Sequence, residues 1–111
     1  MASQVIETTV TGTGSGYIMI DPLYFHFGVG LSVWFAPGTV GTVTVEYTHD
    51  PGIMNGGYRP ESGRWIEHPV LKSLTGSLGS SLQYPCTAVR LNVAGITPGG
   101  RIALGVTQVG Q

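Results

Sequence analysis

The sequence predicts an all-β domain, an antiparallel β-sandwich or jelly roll of about seven to eight short strands. Three observations carry this prediction. Glycine (18) and proline (7) punctuate a chain of 111 residues in which only 10% are charged, the composition of many strands joined by turns. Apolar residues recur with a period of two in several segments, which places them on one face of a strand. No segment shows a sustained helical period flanked by caps.

The elements follow in order along one domain spanning residues 1–111. Gln4–Val10 (QVIETTV) is β-rich and reads as a first strand or, with the rest of residues 1–15, as an extended N-terminal arm. Thr11–Gly16 (TGTGSG) reads as a flexible turn, and Tyr17–Ile20 as a short strand stopped by Asp21-Pro22. The clearest segment is YFHFGVGLSVWFAPG. Phe25, Phe27, Val29, Leu31, Val33 and Phe35 alternate there with Tyr24, His26, Gly28, Gly30, Ser32 and Trp34. In the next segment Val43, Val45 and Tyr47 alternate with Thr42, Thr44, Glu46 and Thr48, and the two strands are expected to form a hairpin around Pro37-Gly38. Asp50–Arg64 has no period and reads as a long loop. Trp65–Leu71 reads as a short strand, and Lys72–Pro85 as a loop pinned to the body by its leucines. A closing hairpin is expected from Cys86–Ile96 and Arg101–Gln108, turning at Thr97–Gly100. On its first strand Val89, Leu91 and Val93 share one face, and Ala88, Arg90 and Asn92 the other. Arg90 is thereby expected to pair with Glu46, Glu67 or a partner subunit, since a guanidinium suits carboxylate forks.

Charge and cysteine content narrow the function classes. The formal net charge is -1, and Arg59, Arg64, Lys72, Arg90 and Arg101 form no run. A phosphate backbone calls for clustered cations, so nucleic acid is not an expected partner. Cys86 is the single cysteine; it is read as a reduced, packed residue of a protein made in the cytoplasm. The N-terminal residues lack the basic start and apolar run of a signal peptide, and no stretch has the length of a membrane span, so no membrane partner is expected.

Candidate chemistry is sparse. His26, His49 and His68 show no metal-ligand spacing, and no metal or cofactor is expected. Gly12–Gly16 lacks the lysine and helix of a phosphate loop. No serine lies in a nucleophile elbow, so the expectation is a protein without catalytic residues, not an enzyme. The candidates for an interface are Tyr24, Trp34, Met54, Tyr58, Arg59, Trp65 and Arg90. For the aromatic members, packing in the core or under a loop is the first reading, burial at an interface the second and stacking on sugars the third. Met54, Tyr58 and Arg59 are residue types that dominate binding energy when they sit on a docking loop.

The C-terminal two thirds carries a resemblance. Glu46-Tyr47 on a strand, a Gly-rich loop, Trp65–Leu71 (WIEHPVL), a Leu/Gly/Ser loop, the run P-x-T-A-V-R-L-N-V (Pro85–Val93) and a Leu/Val strand ending at Gln108 together resemble a small β-sandwich virion protein of tailed bacteriophages, especially capsid decoration (cement) proteins. The resemblance implies a homo-oligomer, a trimer or dimer, that binds the major capsid protein on the outer surface of the virion and stabilises the shell. It implies no enzyme activity and no cofactor. The alternative is a carbohydrate- or receptor-binding β-sandwich module of a tail fibre or spike, using an aromatic platform of Tyr24, Trp34, Tyr58 or Trp65.

Overall fold

The computed structural model describes residues 2–20, 29–49, 64–82 and 86–110. They form eight strands: β1 (Ala2–Val10), β2 (Gly14–Met19), β3 (Val29–Phe35), β4 (Thr42–Thr48), β5 (Ile66–Glu67), β6 (Leu78–Leu82), β7 (Ala88–Ala94) and β8 (Ile102–Gly110). Two four-stranded sheets result, one in the order β1-β8-β3-β6 and the other β2-β7-β4-β5. The antiparallel pairs are nested: β1 with β8, β2 with β7, β3 with β6 and β4 with β5. A ribbon paired in this way and wrapped into two sheets is a jelly roll, the all-β architecture anticipated from composition and periodicity.

Alternation decides which side chains enter the space between the sheets. Val29, Leu31 and Val33 of β3, Val43, Val45 and Tyr47 of β4, and Val89, Leu91 and Val93 of β7 are all buried. Ile102, Leu104 and Val106 of β8 are fully excluded from solvent. Each such aliphatic side chain contributes about 1.5–3 kcal/mol by leaving water. The inward faces assigned to these segments are the observed ones. Phe25 and Phe27 lie outside the described residues.

Both expected hairpins are corrected by the structure. β3 belongs to the first sheet and β4 to the second, and β7 and β8 are likewise divided. The turns themselves are where the sequence puts them. Thr39 N–H donates to Ala36 O across Pro37-Gly38 at 3.0 Å, and Gly100 N–H donates to Thr97 O across Pro98-Gly99 at 2.9 Å. Gly38 has φ 80° and Gly99 φ 79°. Proline at the second position and glycine with positive φ at the third make type II turns. The twist of a tight two-residue hairpin calls for primed turns, whose second position has positive φ, which proline cannot adopt. The x-Pro-Gly-x segments therefore carry the chain from one sheet to the other.

Of the two readings of the N-terminal residues, strand or arm, the strand is observed: residues 2–10 pair with β8 along their whole length. Two further segments differ from expectation. Leu78–Leu82, read as loop, is strand β6, because Leu82 enters the core while serines and a glycine hide the alternation. The strand expected over Trp65–Leu71 is only two residues long. His68 ends it: its Nδ1 accepts the N–H groups of Val70 and Leu71, each at 3.1 Å, so the backbone curls around the ring. Beyond the curl Leu71 is fully buried.

Candidate functional site

The two sheets present outer faces of different character. On the second sheet, the register aligns Tyr17, Arg90, Glu46 and Glu67 as one row across all four strands. Arg90 Nε donates to Glu46 Oε1 at 2.6 Å, with both side chains largely shielded from solvent. Asn92 Nδ2 donates to the same carboxylate oxygen, and Ser15 Oγ donates to Asn92 Oδ1. The Arg90 guanidinium also lies 4.4 Å from the centre of the Trp65 ring, which in turn sits 6.0 Å from the Tyr17 ring. Arg90 thus meets the expectation of a carboxylate partner, and that partner is Glu46. The arrangement ties β2, β7, β4 and the residue before β5 into one polar and aromatic layer. Its groups satisfy one another, which is the signature of a structural network.

The outer face of the first sheet is open. The register places Thr9, Ala103 and Trp34 in one row, and Glu7, Gly105 and Ser32 in the next. Trp34 is 61% exposed. It packs neither in the core nor under a loop, the first of the three roles considered for it. A groove of about 180 Å³ runs here, lined by Glu7, Thr9, Trp34, Ala36, Arg101 and Ala103. Its end is built by the two Pro-Gly turns, which clasp each other. Thr97 N–H donates to Val40 O at 2.9 Å and Ala36 N–H to Arg101 O at 2.9 Å. Arg101 N–H donates to Thr39 Oγ1 at 3.1 Å. This clasp holds Arg101 beside Trp34, although the two are far apart in the chain.

The remaining candidates divide clearly. Trp65 and Arg90 come together on the second sheet, while Trp34 stands on the opposite face of the molecule. Tyr24, Met54, Tyr58 and Arg59 lie outside the described residues, as does His26. His68 is buried, and its Nε2 lies 2.8 Å from Ser81 O. Since Nδ1 accepts two backbone N–H groups, Nε2 carries the proton and donates it to Ser81, and both ring nitrogens serve the main chain. His49 packs edge-on against Tyr47. Among the described residues no group of three or more His, Cys, Asp or Glu is placed to hold a metal ion. Burial pushes the Cys86 thiol up to about 12, so it stays protonated at neutral pH and packs as a small apolar residue.

Glu7, Thr9, Arg101 and Ala103, which also line the groove, have no local spacing that signals them: Glu7, Thr9 and Ala103 meet Trp34 through the register of β1 and β3 on β8, and Arg101 through the clasp of the turns. Comparison with protein-family models, with curated proteins and with solved structures finds no significant match to this chain.

Proposed function

We propose that the chain is a virion structural protein of a tailed bacteriophage, a capsid decoration protein that binds the shell of the major capsid protein from outside and stabilises it. The observation that carries this reading is the nested strand order, β1-β8-β3-β6 over β2-β7-β4-β5. Eight-stranded jelly rolls of this kind recur in viral capsid domains. The T-A-V-R-L-N-V run that resembles the decoration proteins falls on β7 and the residue before it, with Arg90 and Asn92 at the centre of the polar layer. The sheet edges offered by β1 and β6 on one side and β2 and β5 on the other are suited to pairing with a neighbouring chain. Weak contacts repeated over a shell sum to strong attachment through multivalency, which also suits assembly as a trimer or dimer.

The test is binding of the purified protein to capsid shells that lack it, followed by cryo-microscopy of the decorated particles. The expected result is symmetric density on the outer surface at capsomer boundaries, together with greater resistance of the shell to heat. Density at the tail, or no binding to shells, would replace this reading with a different one.

A further inference from the structure

We infer that the groove beside Trp34 is a binding site for one neutral pyranose ring of a glycan. Strands lie about 4.8 Å apart, so β1 and β3, on either side of β8, are separated by about 10 Å. Between them β8 lines the groove only with Ala103, whose side chain is a single methyl, so the floor of this trough is low. A Cβ on Gly105 would stand 2.7 Å from Ser32 Oγ, so the serine hydroxyl covers the neighbouring row and bounds the trough on that side. Trp34 forms one wall, Thr9 and Glu7 the other, and Arg101 closes the end.

The chemistry of the walls fits a sugar. The Trp34 ring offers an exposed apolar face on which the C–H face of a pyranose stacks, since an indole is a large, rigid apolar platform. Among the described residues no ion pair or side-chain hydrogen bond engages the Glu7 carboxylate or the Arg101 guanidinium. One is an acceptor of two hydroxyl protons and the other a donor of several, the complement of neighbouring ring hydroxyls. Their opposite charges favour a neutral ring over an anionic one, which Glu7 would repel. The volume of about 180 Å³ falls below the roughly 300–1,000 Å³ of pockets that enclose larger ligands. The groove accordingly takes one ring and leaves the rest of the glycan in solvent. A protein partner would call for a broad patch of about 800 Å² on this chain, whereas the groove here is a short trough with Trp34 as its single large apolar side chain.

The inference does not rest on attachment to a capsid. It is tested on the isolated chain, so either reading can fail while the other stands. Methyl α- and β-glycosides of glucose, galactose, mannose and N-acetylglucosamine are titrated into the ¹⁵N-labelled protein, and the protein is applied to a glycan array. The expected result is saturable shifts at the Trp34 indole and at the amides of Thr9, Ala103 and Arg101 for at least one sugar. An apparent Kd of about 1–10 mM is expected for a single ring. Trp34→Ala, at an exposed position, should weaken binding at least about tenfold, a difference of about 1.4 kcal/mol, with the melting temperature retained. Ala103→Leu should block binding by filling the floor; Arg90→Lys, on the opposite face, should leave it intact. Shifts that follow protein concentration in place of sugar would overturn the inference in favour of self-association. So would the absence of any binder at about 50 mM glycoside and on the array, or unchanged affinity in the Trp34→Ala variant.

Discussion

Arg90 Nε and Glu46 Oε1 lie 2.6 Å apart on adjacent strands, directly opposite each other in the register of β7 and β4. The pair is shielded on one side by Trp65 and on the other by Asn92, which donates to the same carboxylate oxygen. Removing the guanidinium leaves a largely buried carboxylate with a single neutral donor. Arg90→Ala should therefore lower stability by about 1–3 kcal/mol. Arg90→Lys should recover part of this, since charge is kept but the planar group over Trp65 is lost. Urea denaturation of Arg90→Ala, Glu46→Gln and the double variant checks the coupling; additive losses would mean that the contact contributes nothing.

His68 acts as a main-chain cap inside the core. His68→Phe keeps a planar aromatic ring but orphans the N–H groups of Val70 and Leu71 and the carbonyl of Ser81. The expected loss is about 2–4 kcal/mol. His68→Asn, whose side-chain oxygen can still accept from the backbone, should lose less. Long-range ¹H–¹⁵N spectra of the ring should show the proton on Nε2; a proton on Nδ1 would contradict the capping role.

Cys86 links stability to alkaline pH. Its thiol is raised by burial from 9.0 to about 12. Above pH 9 the unfolded chain ionises this thiol while the folded chain keeps it protonated, so the unfolded state gains. The contribution is complete below pH 9 and is lost progressively toward pH 12. Comparison of Cys86→Ala with the parent across this range should show a shallower alkaline decline in the variant. Iodoacetamide should label the native protein far more slowly at pH 8 than the urea-unfolded one; equal rates would show an accessible thiolate.

The two type II turns should be sensitive at their third residue. Gly38 and Gly99 hold φ near +80°, where a Cβ is strained but no atom lies within 4 Å of it. Gly38→Ala and Gly99→Ala should each cost about 1 kcal/mol through backbone strain alone. The measurement is thermal unfolding, and the double variant should show additive loss unless the clasp between the turns couples them.

The inward stripes were legible because alternation is a local property. Val43, Val45 and Tyr47 declare a buried face whichever strand lies beside them. The Pro-Gly turns are legible too, but not the hairpins expected around them: proline excludes the primed geometry of a tight hairpin, and so the chain changes sheets. β6 was hidden because the serines and glycine of LGSSL carry little strand preference; pairing with β3 makes it a strand. His68 gave no sign of its role, since a cap on Val70, Leu71 and Ser81 exists only once the chain curls.

An all-β chain, its inward faces and the sites of its turns can be read from the residues alone, because these depend on positions a few residues apart. Which strands meet is set by the assembled fold. Antiparallel register on β8 brings Thr9, Ala103 and Trp34 into one row, and register on β7 sets Arg90 against Glu46. Pairing joins residues distant in the chain through main-chain hydrogen bonds available to nearly every residue type, so it leaves little local signal. The core that selects one pairing exists only when both sheets are assembled.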